Sequence, residues 1–370
     1  MKNIFLLIGV ILILFGCKKT EIIRVPITHS WLSDSSLFSY NKIILSSVKL
    51  DDITLAVFNK QKLTYINSNQ LNQPTNGAYL SAGFGGSSYG SLVPLSLSQK
   101  IGVFPLDKNN LRVFSNVNPV SNYGGFTFNP SYSNSITSIK ELPLPTNGGG
   151  YSIIKDKYIL VPFEIDYVNK IAKCNLLRVD PVDGFQNSVK LGNFKEINLI
   201  PPTSTMGFSS GGYYSFSYKD KFFLSLASQF FRIDTLGNVK AYGYGPLPTR
   251  NAGVRQLFNI GDLLFATTIS DILVSNDFGE TWSVFLSGPN QVYLGLNYQN
   301  LGNELFAYSN AQIWKVTLSG NSLNFVELDN DGLETNQITG INKVGKYAFI
   351  STLSGLFYRD TASLNTPRKY

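Results

Sequence analysis

The chain has 370 residues, of which only 15% are charged and 13% are aromatic, and its formal net charge is +7. A disordered chain or a coiled coil would carry more charge and fewer aromatic residues, so this composition excludes both. One histidine and two cysteines argue against zinc sites, disulfide frameworks and histidine-dependent catalytic triads. The composition favours an all-β fold, and the sequence predicts no metal site and no cofactor.

The N-terminus has the pattern of an export signal. Lys2 precedes an apolar run from Ile4 to Gly16, which is too short to cross a bilayer as a helix and is typical of the apolar core of a signal peptide. We therefore expect residues 1–16 to be removed. An ordinary secretory signal with an incidental cysteine after it is the alternative.

The apolar run ends in Leu14-Phe15-Gly16-Cys17, which resembles the bacterial lipoprotein signal. The resemblance implies that Cys17 becomes the first mature residue and carries lipid, so that residues 17–20 form a lipidated N-terminus. A membrane is then one partner, with the outer membrane favoured and both periplasmic and cell-surface placement open. The mature chain has no run of basic residues, so nucleic acid is not expected as a partner.

Seven segments of similar pattern follow one another through the rest of the chain. Each contains a turn, an apolar strand, a polar turn and a second apolar strand, rich in β-branched and aromatic residues. In each segment, the earlier of these two apolar strands begins after one of the following residues: Asp52, Lys100, Lys157, Lys221, Asp262, Glu304 and Lys346. These intervals of 41 to 64 residues suit four-stranded propeller blades. We predict that residues 21–370 form one all-β domain, a seven-bladed β-propeller of four-stranded antiparallel blades.

The last repeat is too short to supply its own outermost strand. Residues 21–28 have a strand-like sequence and no other predicted place. We therefore expect this N-terminal segment to pair with the last blade and close the ring, with Pro26 on the solvent edge, where a missing N–H group costs little.

Residues 275–282 follow the pattern Ser-x-Asp-x-Gly-x-Thr-Trp. They resemble the Asp-box of BNR repeats, which sialidases and many other propellers carry. The resemblance implies a structural turn remote from any active centre, so no catalytic role is expected for its residues. The matching positions are Ser275, Asp277, Gly279, Thr281 and Trp282.

Residues 332–360 form a second recognisable repeat. The pattern from Gly332 through Asn336 and Thr352 to Asp360 is similar to the propeller repeat of bacterial two-component sensor ectodomains. The chain carries no kinase or regulator segment, so the resemblance implies a propeller without the signalling function.

The candidate ligand site is inferred from how propellers bind. Ligands of propellers usually meet the loops that enter each innermost strand and the loops between the second and third strands. In this chain those loops are rich in Asn, Ser and Gly, which suit a glycan or a protein loop but are also ordinary turn residues. The predicted ligand-binding residues are Arg250, Asn251, Tyr308, Asn310, Asn336 and Thr352.

Three classes of function remain open. The favoured hypothesis is a non-catalytic binding propeller held at the cell envelope by lipid. The second is a sialidase-like glycoside hydrolase, which would need an arginine cluster and paired carboxylates. Its only candidates on the predicted face are Arg250, Arg255, Glu164, Asp166, Asp271 and Glu334. The third is a factor that assembles membrane complexes, as some Asp-box propellers do.

Overall fold

The computed structural model describes most of the predicted strands and the turns next to them. The described residues are 29–37, 42–59, 62–73, 78–79, 96–105, 110–115, 125–128, 151–166, 171–182, 185–200, 213–226, 229–242, 253–288, 292–333 and 336–369. The predicted signal and lipidation segments, residues 1–16 and 17–20, lie outside them, as do residues 21–28.

Seven separate four-stranded antiparallel sheets confirm the predicted propeller. The chain begins with β1 (Leu32–Ser33), which belongs to the last blade. Blade one contains β2 (Ile44–Lys49), β3 (Thr54–Asn59), β4 (Lys62–Asn67) and β5 (Ala78–Tyr79). Blade two contains β6 (Ser96–Leu97), β7 (Ile101–Pro105), β8 (Leu111–Ser115) and β9 (Gly125–Phe128).

The next two blades differ in the lengths of their strands. Blade three contains β10 (Ser152–Ile154), β11 (Tyr158–Asp166), β12 (Ile171–Val182) and β13 (Phe185–Leu199). Blade four contains β14 (Tyr213–Tyr218), β15 (Lys221–Leu226), β16 (Gln229–Asp234) and β17 (Val239–Tyr242). The long strands of blade three therefore extend the sheet beyond those of its neighbour.

The last three blades are the most regular. Blade five contains β18 (Gln256–Ile260), β19 (Leu263–Thr267), β20 (Asp271–Ser275) and β21 (Ser283–Ser287). Blade six contains β22 (Asn297–Leu301), β23 (Glu304–Ser309), β24 (Gln312–Ser319) and β25 (Ser322–Glu327). Blade seven contains β26 (Ile338–Val344), β27 (Tyr347–Thr352) and β28 (Gly355–Asp360), with β1 as its fourth strand. Short 3-10 helices occupy Ser35–Leu37, Val292–Gly295 and Thr361–Ser363.

The closing strand comes from the N-terminal side, as predicted, but from different residues. Leu32 pairs with Tyr358 and Ser33 with Phe357, so β1 holds the place next to β28 that we expected residues 21–28 to fill. The prediction placed the closing segment too early in the chain because residues 21–28 have a high strand propensity. The pairing position instead goes to a short segment that follows a buried tryptophan.

Trp31 fixes this closing strand in place. Its side chain is almost fully buried, and its indole N–H donates to the Asp329 carbonyl at 3.0 Å. The guanidinium of Arg359 lies 5.1 Å from its ring centre and also donates to the Asp329 carbonyl at 3.2 Å. Blade seven is therefore joined to the end of blade six by one tryptophan and one arginine.

Apolar side chains from facing blades form the core. Side chains alternate between the two faces of a strand, so both faces of each blade carry apolar residues. Each face is covered by one of the two neighbouring blades. Between blades four and five, Phe223 and Phe230 stack at 5.8 Å and both lie against Trp282. Cys174, in β12 of blade three, has a free thiol that is fully buried among apolar side chains, and this burial raises the pKa of the thiol.

Candidate functional site

The order of strands gives the propeller two different faces. Turns between first and second strands, and between third and fourth strands, lie on one face, here called the lower face. Turns between second and third strands, and the connections between blades, lie on the opposite upper face. The predicted ligand site belongs to the upper face.

The lower face carries many charged residues. Charged residues occur at most of the described turns between first and second strands, at Asp51, Asp52, Lys100, Asp156, Lys157, Lys219, Asp220, Asp262 and Lys346. Several form local ion pairs, such as Lys49 with Asp52 at 2.8 Å. Exposed pairs of this type contribute little to stability. Their recurrence in several blades indicates turn chemistry rather than a paired catalytic site.

The described turns between second and third strands in blades five to seven are uncharged, whereas the described connections between these blades contain Arg255, Asp329 and Asp331. Residues 269–270, 310–311 and 353–354 form the tips between second and third strands, and they contain only Ile, Ser, Asn, Ala and Leu. Ile269 is 48% exposed and Leu353 is 38% exposed. This part of the face therefore presents apolar tips among neutral hydrogen-bonding groups.

Asn310 is the most accessible of the predicted ligand residues that the structure describes. It is exposed at the tip of the turn between β23 and β24, with a φ of 49°. Its carbonyl accepts a hydrogen bond from the Ile338 amide at 2.9 Å, which connects blade six to the start of blade seven. The backbone is thus held in the turn, while the side chain lies on the upper face.

Tyr308 does not have the predicted role. The side chain lies in the core between blades six and seven with Phe306 and Ile341, and its hydroxyl donates to the Thr339 carbonyl at 3.4 Å. Burial raises the pKa of Tyr308 to about 12. The ring is therefore unavailable for stacking on a sugar, because an apolar strand end is buried by the neighbouring blade.

Thr352 is also a structural residue. It is fully buried, and its hydroxyl donates to the Gly355 carbonyl at 2.9 Å and accepts from the Ser354 amide at 3.1 Å. These bonds close the turn between β27 and β28 and leave the side chain no exposed surface. Asn336 is half-buried near this turn, and its backbone N–H donates to the Leu333 carbonyl at 3.0 Å. Arg250 and Asn251 lie outside the described residues.

Residues 275–282, which match the Asp-box pattern in sequence, form one hydrogen-bonded turn on the lower face. The Asp277 carboxylate accepts from the Thr281 amide at 2.8 Å and from the Ser275 hydroxyl at 2.7 Å. Burial opposes ionisation, but these hydrogen bonds outweigh it and lower the pKa of Asp277 to about 2. Gly279 has a φ of 79°, and a Cβ there would lie 2.6 Å from the Phe223 ring. Trp282 directly precedes β21 and is buried against blade four.

The acidic candidates for glycoside hydrolysis do not form a described pair. Asp271 is buried, and its carboxylate accepts hydrogen bonds from the hydroxyls of Ser270 and Ser287. Glu164 and Asp166 lie near the end of β11, and Glu334 lies outside the described residues. Arg255 is exposed just before β18. In the part of the chain that is described, no group of three or more His, Cys, Asp or Glu residues could hold a metal ion.

Sequence reasoning missed the polar contacts between the innermost strands. Amide and hydroxyl side chains there bond directly to the next blade. The contacts join Ser152 to Ser215 at 2.7 Å, Gln256 to Tyr298 at 2.7 Å, Gln299 to Ile341 at 3.0 Å and Ser47 to Asn342 at 2.8 Å. The signal that could have found them is a polar residue within the first strand of each of these blades.

Comparison with known proteins supports the fold. No family model and no curated protein matches this sequence. The chain is similar in structure to a catalytically inactive variant of virginiamycin B lyase from Staphylococcus aureus, with a TM-score of 0.54 and 13% identity over 90% of this chain and 98% of the lyase. At this identity, the likeness shows a shared propeller fold and no more.

Extracellular domains of two hybrid two-component systems from B. thetaiotaomicron are similar as well. Each has a TM-score of 0.50, with 12% and 9% identity over 86% and 90% of this chain. The chain spans 40% of the length of each of these domains. Among the described residues, no helix is long and apolar enough to cross a membrane.

Proposed function

We propose that this protein is a non-catalytic lipoprotein of the bacterial cell envelope that binds a glycan or a protein through its upper face. The observation that carries the proposal is the contrast between the strand-to-strand turns of the two faces. Charges recur at the turns of the lower face, whereas the described tips of blades five to seven on the upper face are neutral and partly apolar. A surface of this kind suits an uncharged partner, because binding removes few charges from water.

Two of the sequences that link the blades agree with this proposal. Residues 80–95 and 201–212, which connect blades one to two and three to four, contain no charged residue. They are rich in Gly and Ser and include aromatic residues. Neutral donors and acceptors beside aromatic groups are the usual contacts for sugars and for peptide loops.

The proposed contacts follow from the described positions. Asn310 and Asn336 supply amides near the turns of blades six and seven, and Ile269 and Leu353 supply exposed apolar contact. Arg250 and Asn251 remain proposed contacts from the sequence. Tyr308 and Thr352 are not among the proposed contacts, because both are buried and hydrogen-bonded within the fold.

Two observations favour binding over catalysis. The single histidine of the chain, His29, lies in the closing segment and contacts Asp331 at 2.9 Å. Replacing a histidine inactivated the lyase of similar fold. Because His29 is the single histidine of this chain and lies in the closing segment, the upper face offers no comparable group. Asp271 is engaged with two hydroxyls, which leaves its carboxylate occupied.

The test is binding to a glycan array that contains neutral and acidic oligosaccharides, together with capture of envelope proteins. The double variant Arg250→Ala/Asn310→Gly should lose binding, and glycine is chosen because residue 310 has a positive φ. Asp262→Ala on the lower face is the matched control and should bind as the unmodified protein does. Binding that survives the double variant would place the site elsewhere. Turnover of any glycan would contradict the non-catalytic proposal.

A further inference from the structure

Two lysines on the lower face have an unfavourable backbone conformation. In blades three to seven, the first residue of the turn between the first and second strands has a φ of 53° to 66°. Blades three and four have Lys155 and Lys219 at this position, whereas the other three blades have Gly261, Gly302 and Gly345. Glycine takes this left-handed conformation freely, and lysine is strained in it. Strained residues of this kind cluster at functional positions.

These lysines belong to a part of the lower face that has an excess of positive charge. The same two turns also contain Lys157 and Lys221, against only two acidic residues, Asp156 and Asp220. In blades five, six, seven and one, the charged residues of the corresponding turns are mostly acidic, and they are Asp262, Glu304, Lys346, Asp51 and Asp52. The positive charge of these turns is therefore concentrated on one side of the ring, and it is complementary to an anionic surface.

Two exposed apolar side chains lie beside lysines in the same region. Leu236, between β16 and β17, is 73% exposed, and its carbonyl accepts a hydrogen bond from the Lys195 ammonium at 2.9 Å. Phe278, between β20 and β21, is 43% exposed, and the Lys219 ammonium lies 3.6 Å from the centre of its ring. Both turns join a third strand to a fourth, so both side chains lie on the lower face. Apolar groups beside lysines suit a membrane interface, where the apolar group meets the acyl chains and the ammonium stays with the headgroups.

The chain enters the propeller from the side of this lower face. Thr361, the residue after β28, donates a backbone hydrogen bond to the carbonyl of Lys346 in a lower-face turn. β1 is antiparallel to β28 and therefore begins on the lower side of blade seven. Only residues 18–28 separate Cys17 from His29, so a lipid on Cys17 lies at most about 40 Å from His29. A tether at this place brings the lower face, rather than the upper face, towards the membrane.

We propose that the lower face around blade four docks on the anionic lipid headgroups of the membrane that holds the lipid anchor. The docking surface consists of Lys155, Lys195, Lys219, Lys221, Leu236 and Phe278. Its lysines attract the phosphates of the headgroups, and its two apolar side chains enter the boundary between headgroups and acyl chains. The upper face then points away from the membrane, where a partner can reach it. This inference rests on the lipid anchor of the proposed function.

The test measures which face of the full-length lipidated protein lies on the membrane. The protein is reconstituted in vesicles of phosphatidylcholine, with or without phosphatidylglycerol, that contain a lipid with a quencher on its acyl chain. A fluorophore is attached to Leu236→Cys on the lower face or to Leu353→Cys on the upper face. Labelling is specific because Cys17 is acylated and Cys174 is buried.

Quenching of the label at residue 236 should depend on the charge of the lipid. Phosphatidylglycerol should increase this quenching about threefold, because it supplies the anionic headgroups. High salt should remove the increase, since it screens the attraction between lysines and phosphates. The label at residue 353 should be quenched weakly and equally in both kinds of vesicle.

Two double variants separate the charge of the lysines from their strain. Lys155→Gln/Lys219→Gln removes the charges and keeps side chains at positive φ, whereas Lys155→Gly/Lys219→Gly removes both the charges and the strain. Either variant should abolish the increase in quenching at residue 236, and the glycine variant should not lower the thermal midpoint. Lys346→Gln, at an exposed lysine in the same turn of blade seven, is the matched control and should leave the quenching unchanged.

Each outcome decides the inference. Equal quenching at residue 236 in both kinds of vesicle, in protein held by its lipid, would overturn the docking surface while the proposed function stands. A lowered midpoint in the glycine variant would show that the two lysines stabilise their turns, and this would also overturn it. Stronger quenching at residue 353 than at residue 236 would mean the opposite orientation. Protein that enters neither kind of vesicle would contradict the lipid anchor, and the docking surface with it.

Discussion

Single side chains stabilise this propeller through hydrogen bonds at its turns. Asp277 is the clearest case, since its carboxylate accepts bonds from a backbone amide and two hydroxyls of the same turn. The pattern of five residues identified this turn in the sequence because the bonds of the Asp277 carboxylate are local. Tyr308 could not be assigned in the same way, since its burial depends on the neighbouring blade.

Replacement of Asp277 tests the importance of the turn. Asp277→Ala removes the acceptor of these bonds and should lower the free energy of unfolding by about 1–2 kcal/mol. Because the folded pKa lies below the usual value, this stabilisation is present above pH 4 and is lost as the pH falls towards 2. Urea unfolding at pH 7 and pH 3 measures both effects. Asp262→Ala, at an exposed carboxylate, should change stability by less than about 0.5 kcal/mol.

At the scale of elements, closure of the ring depends on a very short strand. β1 has two residues, yet the segment before it makes several contacts with the connection from blade six to blade seven. Ser30 and Trp31 donate backbone hydrogen bonds to Asp331 at 3.0 Å each, and the His29 ring contacts the same residue. A short strand suffices because side-chain and turn contacts supplement its two pairings.

Trp31→Ala should open this closure. Removing a buried indole and its hydrogen bond should cost roughly 3–5 kcal/mol, measured as a shift of the urea midpoint. Leu32→Ala changes an exposed side chain on the same strand and should leave the midpoint nearly unchanged. A deletion variant that lacks residues 21–28 should have the same urea midpoint as the unmodified protein. If that deletion were as costly as Trp31→Ala, closure would extend further towards the N-terminus than the described contacts.

At the scale of the whole molecule, ion pairs join blades that are adjacent in the ring. Glu304 in blade six pairs with Lys315 of its own blade at 2.8 Å and with Lys343 of blade seven, and it accepts a hydrogen bond from Asn365 of the C-terminal segment at 3.0 Å. Hydrogen bonds from Lys315 and Lys343 lower the pKa of Glu304 to about 2. One carboxylate therefore links two blades and the C-terminal residues.

Glu304 should make the stability of the folded protein depend on pH in the acid range. A carboxyl with a lowered folded pKa stabilises the protein fully above its ordinary value near 4.5, and this contribution is lost as the pH falls towards 2. Glu304→Gln should therefore lower the unfolding midpoint at pH 7 and make the decline between pH 4.5 and 2 shallower. Thermal unfolding over this range is the measurement. Equal slopes in the two proteins would show that Glu304 does not couple the blades.

Anchoring by Cys17 is a second prediction about the whole molecule. Cys17→Ala should abolish incorporation of labelled palmitate and release the protein from the membrane fraction, because the thiol is the proposed site of lipid attachment. Cys174→Ala is the matched control, since that thiol is buried in the core. Equal labelling of the Cys17→Ala variant and the unmodified protein would contradict a lipid anchor.

The sequence by itself determined the number of blades, their antiparallel strands and the local turn at Asp277, because these features depend on residues close together in the chain. Only the tertiary structure decided that residues 32–33 close the ring and that Tyr308 and Thr352 are buried. It also decided that the buried amides of Asn175 and Gln229 have no hydrogen-bond partner among the described residues, whereas Asp271 and Gln312 have one. Burial and hydrogen bonding at these positions depend on neighbouring strands and blades. A strand pattern shows that a side chain lies near a face, but the packing of the next blade decides whether solvent or a ligand can reach it.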